Sequence, residues 1–197
     1  SKIQLSEIWK GGLFFLSSYL SFNLIYSADL TNIDLNIQNS FFFSLKMFFA
    51  LKTISQLPIT NLLPKIANAF NVKKTIPKKI VRPTLILCLS IFIVGSSFYF
   101  VLLFFRVDFV FRYYNSSFIF FLLLICLGEL LNGVFTNIII STGKIPFWIT
   151  SVIIYLIQLT IINLIDDLSI PLILILMSIR PLILIIHSSI FANKLIK

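Results

Sequence analysis

FFFSLKMFFALKTISQLPITNLLPKIANAF, residues 41–70, decides how the rest of the chain is read. At about 1.5 Å rise per residue, this apolar stretch is long enough to cross a bilayer as a helix. It nevertheless holds Lys46 and Lys52, each costing roughly 2.5–3.5 kcal/mol at the bilayer centre if it faces lipid. Lys52, Ser55, Gln56 and Thr60 recur at i, i+3, i+4 and i+8 and so share one helix face. Pro58 lies on that polar face, where it predicts a bend and a freed backbone carbonyl. Behind the stretch, Lys65, Lys73, Lys74, Lys78, Lys79 and Arg82 mark a cytoplasmic end.

Composition gives the same class. Hydrophobic residues are 58% and charged residues 12%, with mean hydropathy +1.02. A soluble domain is about a quarter charged, so this is the balance of a membrane protein. The formal charge of +9 is explained by orientation in a membrane rather than by nucleic acid. Cys88 and Cys126 both fall in apolar runs and read as packing residues. With His187 the only histidine, no metal-ligand cluster or cofactor motif is visible, nor any nucleophile–base arrangement of an enzyme.

In chain order the pattern predicts an all-α, polytopic bundle of six transmembrane helices in one domain, 1–197. The spans are about 11–28, 41–64, 83–105, 117–142, 146–165 and 171–192. An amphipathic lead, Ser1–Lys10, precedes them, and Ser17 and Ser21 share a face of the first span. Prolines 83, 146 and 171 are expected to open the third, fifth and sixth spans, because a first helical position has no N–H to lose. With both termini cytoplasmic, Lys2, Lys10, the basic loop, Lys144, Lys194 and Lys197 fall inside. Only Arg106 and Arg112 fall outside, with Asp29, Asp34, Asp108, Asp166 and Asp167.

The remaining charges carry the functional question. Counted from the outer end of each span, Lys52, Glu129 and Arg180 sit about 10–13 residues in, roughly 15–20 Å deep. Similar depth on three helices suggests a shared wet interior. Glu129 heads a polar stripe of Asn132, Gly133, Thr136, Asn137 and Ser141 at helical spacing. Arg180 precedes Pro181, which frees the Met177 carbonyl, and Tyr155 and Gln158 add hydrogen-bonding groups on the fifth span. Plainer readings stand beside this one. Glu129 and Arg180 can form a purely structural pair, Lys46 can snorkel to headgroups, and small polar residues can simply pack helices. His187 reads as a satisfied polar residue. Even after pairing, Lys46, Lys52 and Arg180 outnumber Glu129, and an excess of buried cations is rationalised by an anionic ligand or a water-filled cavity.

IYSAD (25–29) closing one span, then ALKTISQLPITNLLPKIANAF (50–70) before a basic loop, resembles the seventh and eighth helices of lipid-linked oligosaccharide flippases. These are the O-antigen and polysaccharide exporters of the multidrug/oligosaccharidyl-lipid/polysaccharide superfamily. GELLNGVFTNIIISTGKIPFW (128–148) resembles a later helix, glycine-lysine turn and following helix of that family. The resemblance runs from about residue 5 to 192 and implies the C-terminal lobe of a two-lobe transporter in the bacterial inner membrane. It implies a cationic cavity between lobes that receives a polyprenyl-diphosphate-linked oligosaccharide, with Lys52 and Asp29 on cavity-lining helices. The expected site is therefore Lys52, Arg180, Glu129, Lys46, Gln56, Asn132 and Asp29. The expected partners are the anionic lipid-linked sugar, membrane lipids and a missing N-terminal lobe, which fits a chain opening on Ser1 rather than Met. A non-transporting membrane subunit or inactive remnant is the alternative. A multidrug antiporter lobe fits less well, because it favours acidic cavity residues.

Overall fold

The computed structural model describes residues 2–26, 33–165 and 168–196. Among these residues eight helices follow one another: α1 (Lys2–Tyr26), α2 (Leu35–Ser55), α3 (Leu57–Lys73), α4 (Lys78–Phe104), α5 (Asp108–Phe111), α6 (Ser116–Ile140), α7 (Trp148–Leu164) and α8 (Ile170–Leu195). No strand occurs among the described residues, and the protein is all-α. Among the described residues three helices are long and apolar enough to cross a membrane: α4, Ser117–Ile140 of α6, and α8.

Local chemistry sets the helix ends. The Asp34 side chain caps α2 by accepting from the Asn36 N–H at 2.8 Å, and Asn115 caps α6 by accepting from the Ser117 N–H at 2.9 Å. Between α6 and α7, Gly143 takes φ +75°, a conformation that suits glycine. The bend expected in the second span falls at Gln56, a one-residue interruption with right-handed helical dihedrals. Gln56 ends α2 and begins α3, with Pro58 in the first turn of α3, where its missing N–H cannot continue the ladder to Ile54.

Other boundaries differ from the sequence expectation. Pro83 lies inside α4 instead of opening it; Pro77, with φ −65°, occupies the N-cap, and the helix starts at Lys78. Helix α7 starts at Trp148, two residues after Pro146, because Phe147 serves as its N-cap. Pro171 sits at the start of α8 as expected. The basic lead and first span form one continuous helix, in which Glu7 and Lys10 pair at 2.5 Å. The α3–α4 turn is tied to the end of the chain by the Ile76 N–H, which donates to the Leu195 carbonyl at 2.8 Å.

Two apolar cores result. The larger joins α2, α3, α4, α6 and α8 through Phe41, Leu45, Phe48, Ile59, Ile66, Cys88, Leu122 and Cys126. The smaller joins α1, α6, α7 and α8, with Phe14 and Phe147 edge-to-face at 5.0 Å between ring centres. Helices α6 and α8 form the most extensive contact, and α1 is held mainly by α7. The outer faces also carry large apolar side chains, such as Phe15, Phe98, Phe104, Phe120, Leu164 and Ile186. So much exposed apolar surface points to apolar surroundings.

Candidate functional site

At the centre of the bundle Glu129 of α6 meets Arg180 of α8, with Oε1 and Nη1 3.6 Å apart. Their side chains are 9% and 16% exposed, so both charges are largely removed from solvent. This separation exceeds the roughly 2.7–2.9 Å of a charge-assisted hydrogen bond, and the contact is mainly Coulombic. Close approach of the two helices at this level depends on a small residue. A Cβ on Gly128 would lie 3.1 Å from Cβ of Pro181.

Beside the pair is a cavity of about 20 Å³, lined by Ser21 of α1, Phe49 of α2, Ile125 and Glu129 of α6, Gln158 of α7, and Met177 and Arg180 of α8. Five helices therefore converge on a space fit for about one water molecule. Ser21 belongs to the small-residue face of α1; one turn earlier Ser17 bonds Ser151 of α7 at 2.8 Å. Gln158 is buried and donates through Nε2 to the Leu176 carbonyl at 2.8 Å, next to the Met177 carbonyl that Pro181 releases.

Gln56 reaches the same region from the helix break. Its Nε2 makes long contacts of 3.4 and 3.5 Å to the Glu129 and Leu130 carbonyls. It lies directly on Gly133, where an added Cβ would sit 1.8 Å from Nε2. The glycine of the stripe thus admits the α2–α3 break onto α6. Asn132 and Thr136 are buried and turned to each other, Thr136 Oγ1 donating to Asn132 Oδ1 at 3.2 Å.

The expected site residues consequently divide. Glu129 and Arg180 line the cavity together, Gln56 abuts the backbone behind Glu129, and Asn132 is buried one turn further along α6. Lys52 is half-buried and does not line the cavity, but its Nζ stands 5.5 Å from the ring centre of Phe49, which does. Lys46 is exposed and outside the cavity, and Asp29 lies outside the described residues. The cationic excess within the apolar bundle therefore reduces to Lys52, which has no ion-pair partner among the described residues. Ser21, Phe49 and Met177 join the lining without having stood out as site residues. The Ser17/Ser21 repeat was the visible signal for the first of these. His187 is satisfied by Thr150 Oγ1 at 3.1 Å from Nδ1. Among the described residues no group of histidine, cysteine or carboxylate side chains could hold a metal. Comparison with protein families, curated proteins and solved structures finds no match to this chain.

Proposed function

We propose that this chain is a six-span lobe of a flippase that moves a polyprenyl-diphosphate-linked oligosaccharide across the bacterial inner membrane by alternating access. Helix α1, the α2–α3 pair, α4, α6, α7 and α8 would make the six crossings, with both termini cytoplasmic. The observation that carries this reading is Lys52. It is a half-buried cation without an ion-pair partner among the described residues, one turn before the helix interruption at Gln56 and against Phe49, which lines the cavity that Glu129 and Arg180 share. Broken helices and intramembrane charges are the parts from which transporter sites near the midplane are built. A phosphate-bearing headgroup would neutralise Lys52 and draw Arg180 away from Glu129.

The test is export of polysaccharide by the two-lobe protein that this reading requires, in cells lacking their own flippase. Export normalised to membrane abundance should be abolished by Lys52→Ala and by Arg180→Ala, and Lys52→Arg should keep part of it, because phosphate accepts either cation. Normal export by both alanine variants at normal abundance would remove the cationic site.

One observation favours a second reading, a non-transporting membrane subunit. Glu129 and Arg180 already neutralise each other, and the space beside them is small, about 20 Å³. On that reading the charges only hold helices together.

A further inference from the structure

Three polar atoms with no hydrogen-bond partner among the described residues belong to residues lining the cavity: Ser21 Oγ, Gln158 Oε1 and Arg180 Nε. Ser21 and Gln158 are 3% and 1% exposed, so bulk solvent cannot satisfy them. Leaving such a group unpaired in the interior is costly, and three around one space call for a ligand. The amide orientation of Gln158 is fixed by its Nε2, which must donate to the Leu176 carbonyl and so turns Oε1 the other way.

The chemistry of the site selects the ligand. Arg180 Nε–H offers a donor, Gln158 Oε1 an acceptor, and the Ser21 hydroxyl either role. The ligand must therefore both accept and donate. Charge is already balanced by Glu129 and Arg180, which disfavours a cation beside the guanidinium and an anion beside the carboxylate. The volume of about 20 Å³ exceeds the roughly 10–15 Å³ needed for one water and matches a single one. We infer that this cavity is a binding site for a single water molecule that joins Ser21 of α1, Gln158 of α7 and Arg180 of α8 beside Glu129. The water accepts from Arg180 Nε and donates to Gln158 Oε1, and Ser21 completes its shell. It links the α1–α7 pair to the α6–α8 pair, adding to the direct Gln158–Leu176 and Thr150–His187 hydrogen bonds between α7 and α8, and it does so whether or not the chain transports anything.

Radiolytic labelling tests this directly, because hydroxyl radicals form where water is bound and convert a neighbouring thioether to sulfoxide. The chain has two methionines: Met177 lines the cavity and Met47 faces outward. The full chain in lipid nanodiscs should form sulfoxide at Met177 during brief X-ray exposure. In the variant Ser21→Val with Gln158→Leu, whose apolar side chains fill and dry the cavity, the Met177 rate should fall several-fold while that of Met47 stays constant. An unlabelled Met177 in the native chain overturns the inference, and so does an equal rate in the filled variant. That first outcome decides the matter even if the double variant loses its monodisperse elution. Replacing sodium with choline should change neither the labelling nor the unfolding temperature. A sodium-dependent change in either would make the ligand a cation held by the same oxygens, which also overturns the inference.

Discussion

Replacing Glu129 with glutamine keeps the shape of the side chain and removes its charge, leaving Arg180 as an unpaired cation 16% exposed between α6, α7 and α8. Breaking a buried ion pair commonly costs about 3–5 kcal/mol. Two features place this pair at the lower end: the 3.6 Å separation is long, and the adjacent cavity can hydrate the guanidinium. A loss of about 3 kcal/mol corresponds to a fall of roughly 6–12 °C in unfolding temperature for a chain of this size. Cys88 and Cys126 supply the probe. Both are free and fully buried, and Cys126 sits one turn from Glu129, so a thiol-reactive fluorophore reports loss of packing on heating. The double variant Glu129→Leu with Arg180→Met should recover most of the loss, because an apolar pair of similar volume often replaces a buried ion pair at little cost. An unfolding temperature unchanged by Glu129→Gln would refute the reasoning. It would mean that Arg180 is already solvated and that the pair contributes nothing to the fold.

Gly133→Ala should lower stability by about 1–3 kcal/mol, the usual range for an overpacked contact, since the new methyl group must displace Gln56 from α6. The same thiol probe reads it, and Gln56→Ala made in addition should restore the native value; no loss in Gly133→Ala alone would show that Gln56 moves aside freely. A reporter fused after Lys197 should be cytoplasmic and one inserted at Asp166 external, because basic loops stay inside. The reverse at either position would break the six-span topology.

How much of this was legible in the sequence differs by residue. Helical class and approximate boundaries follow from apolar runs of about 20 residues, the length of a spanning helix rather than of the roughly 10-residue strands of a barrel. The break in residues 41–64 was marked by Pro58, yet its exact place depended on how Gln56 packs against Gly133, a contact between residues far apart in the chain. Pro83 misled because a proline tolerated within a helix looks the same in sequence as one that opens it, and the nearby Pro77 took that role. Equal depth correctly brought Glu129 and Arg180 to one level. Depth says nothing about azimuth, however, and Lys52 and Lys46 turned to other surroundings on α2. Ser21 and Gln158 look ordinary in sequence. They matter only because α1 and α7 carry them to the same point as Arg180.

The dimensions of the cavity bear on what the chain can do by itself. A diphosphate with attached sugars needs a space far larger than about 20 Å³, and the charges that could hold it are divided between a closed pair and a half-buried Lys52. Under the proposed flippase function the headgroup lies against this chain rather than within it, and another surface closes over it. The chain reconstituted alone in proteoliposomes should therefore bind an anionic lipid-linked oligosaccharide weakly, with only modest salt dependence, because a half-buried Lys52 is screened less than an exposed charge. It should move none of that lipid to the opposite leaflet, since alternating access requires two bodies rocking about one site. Rapid transfer by the chain alone, measured as sugar becoming accessible to an external glycosidase, would refute the half-transporter proposal. Transfer that appears only with a second helical lobe, and disappears with Lys52→Ala, would support it.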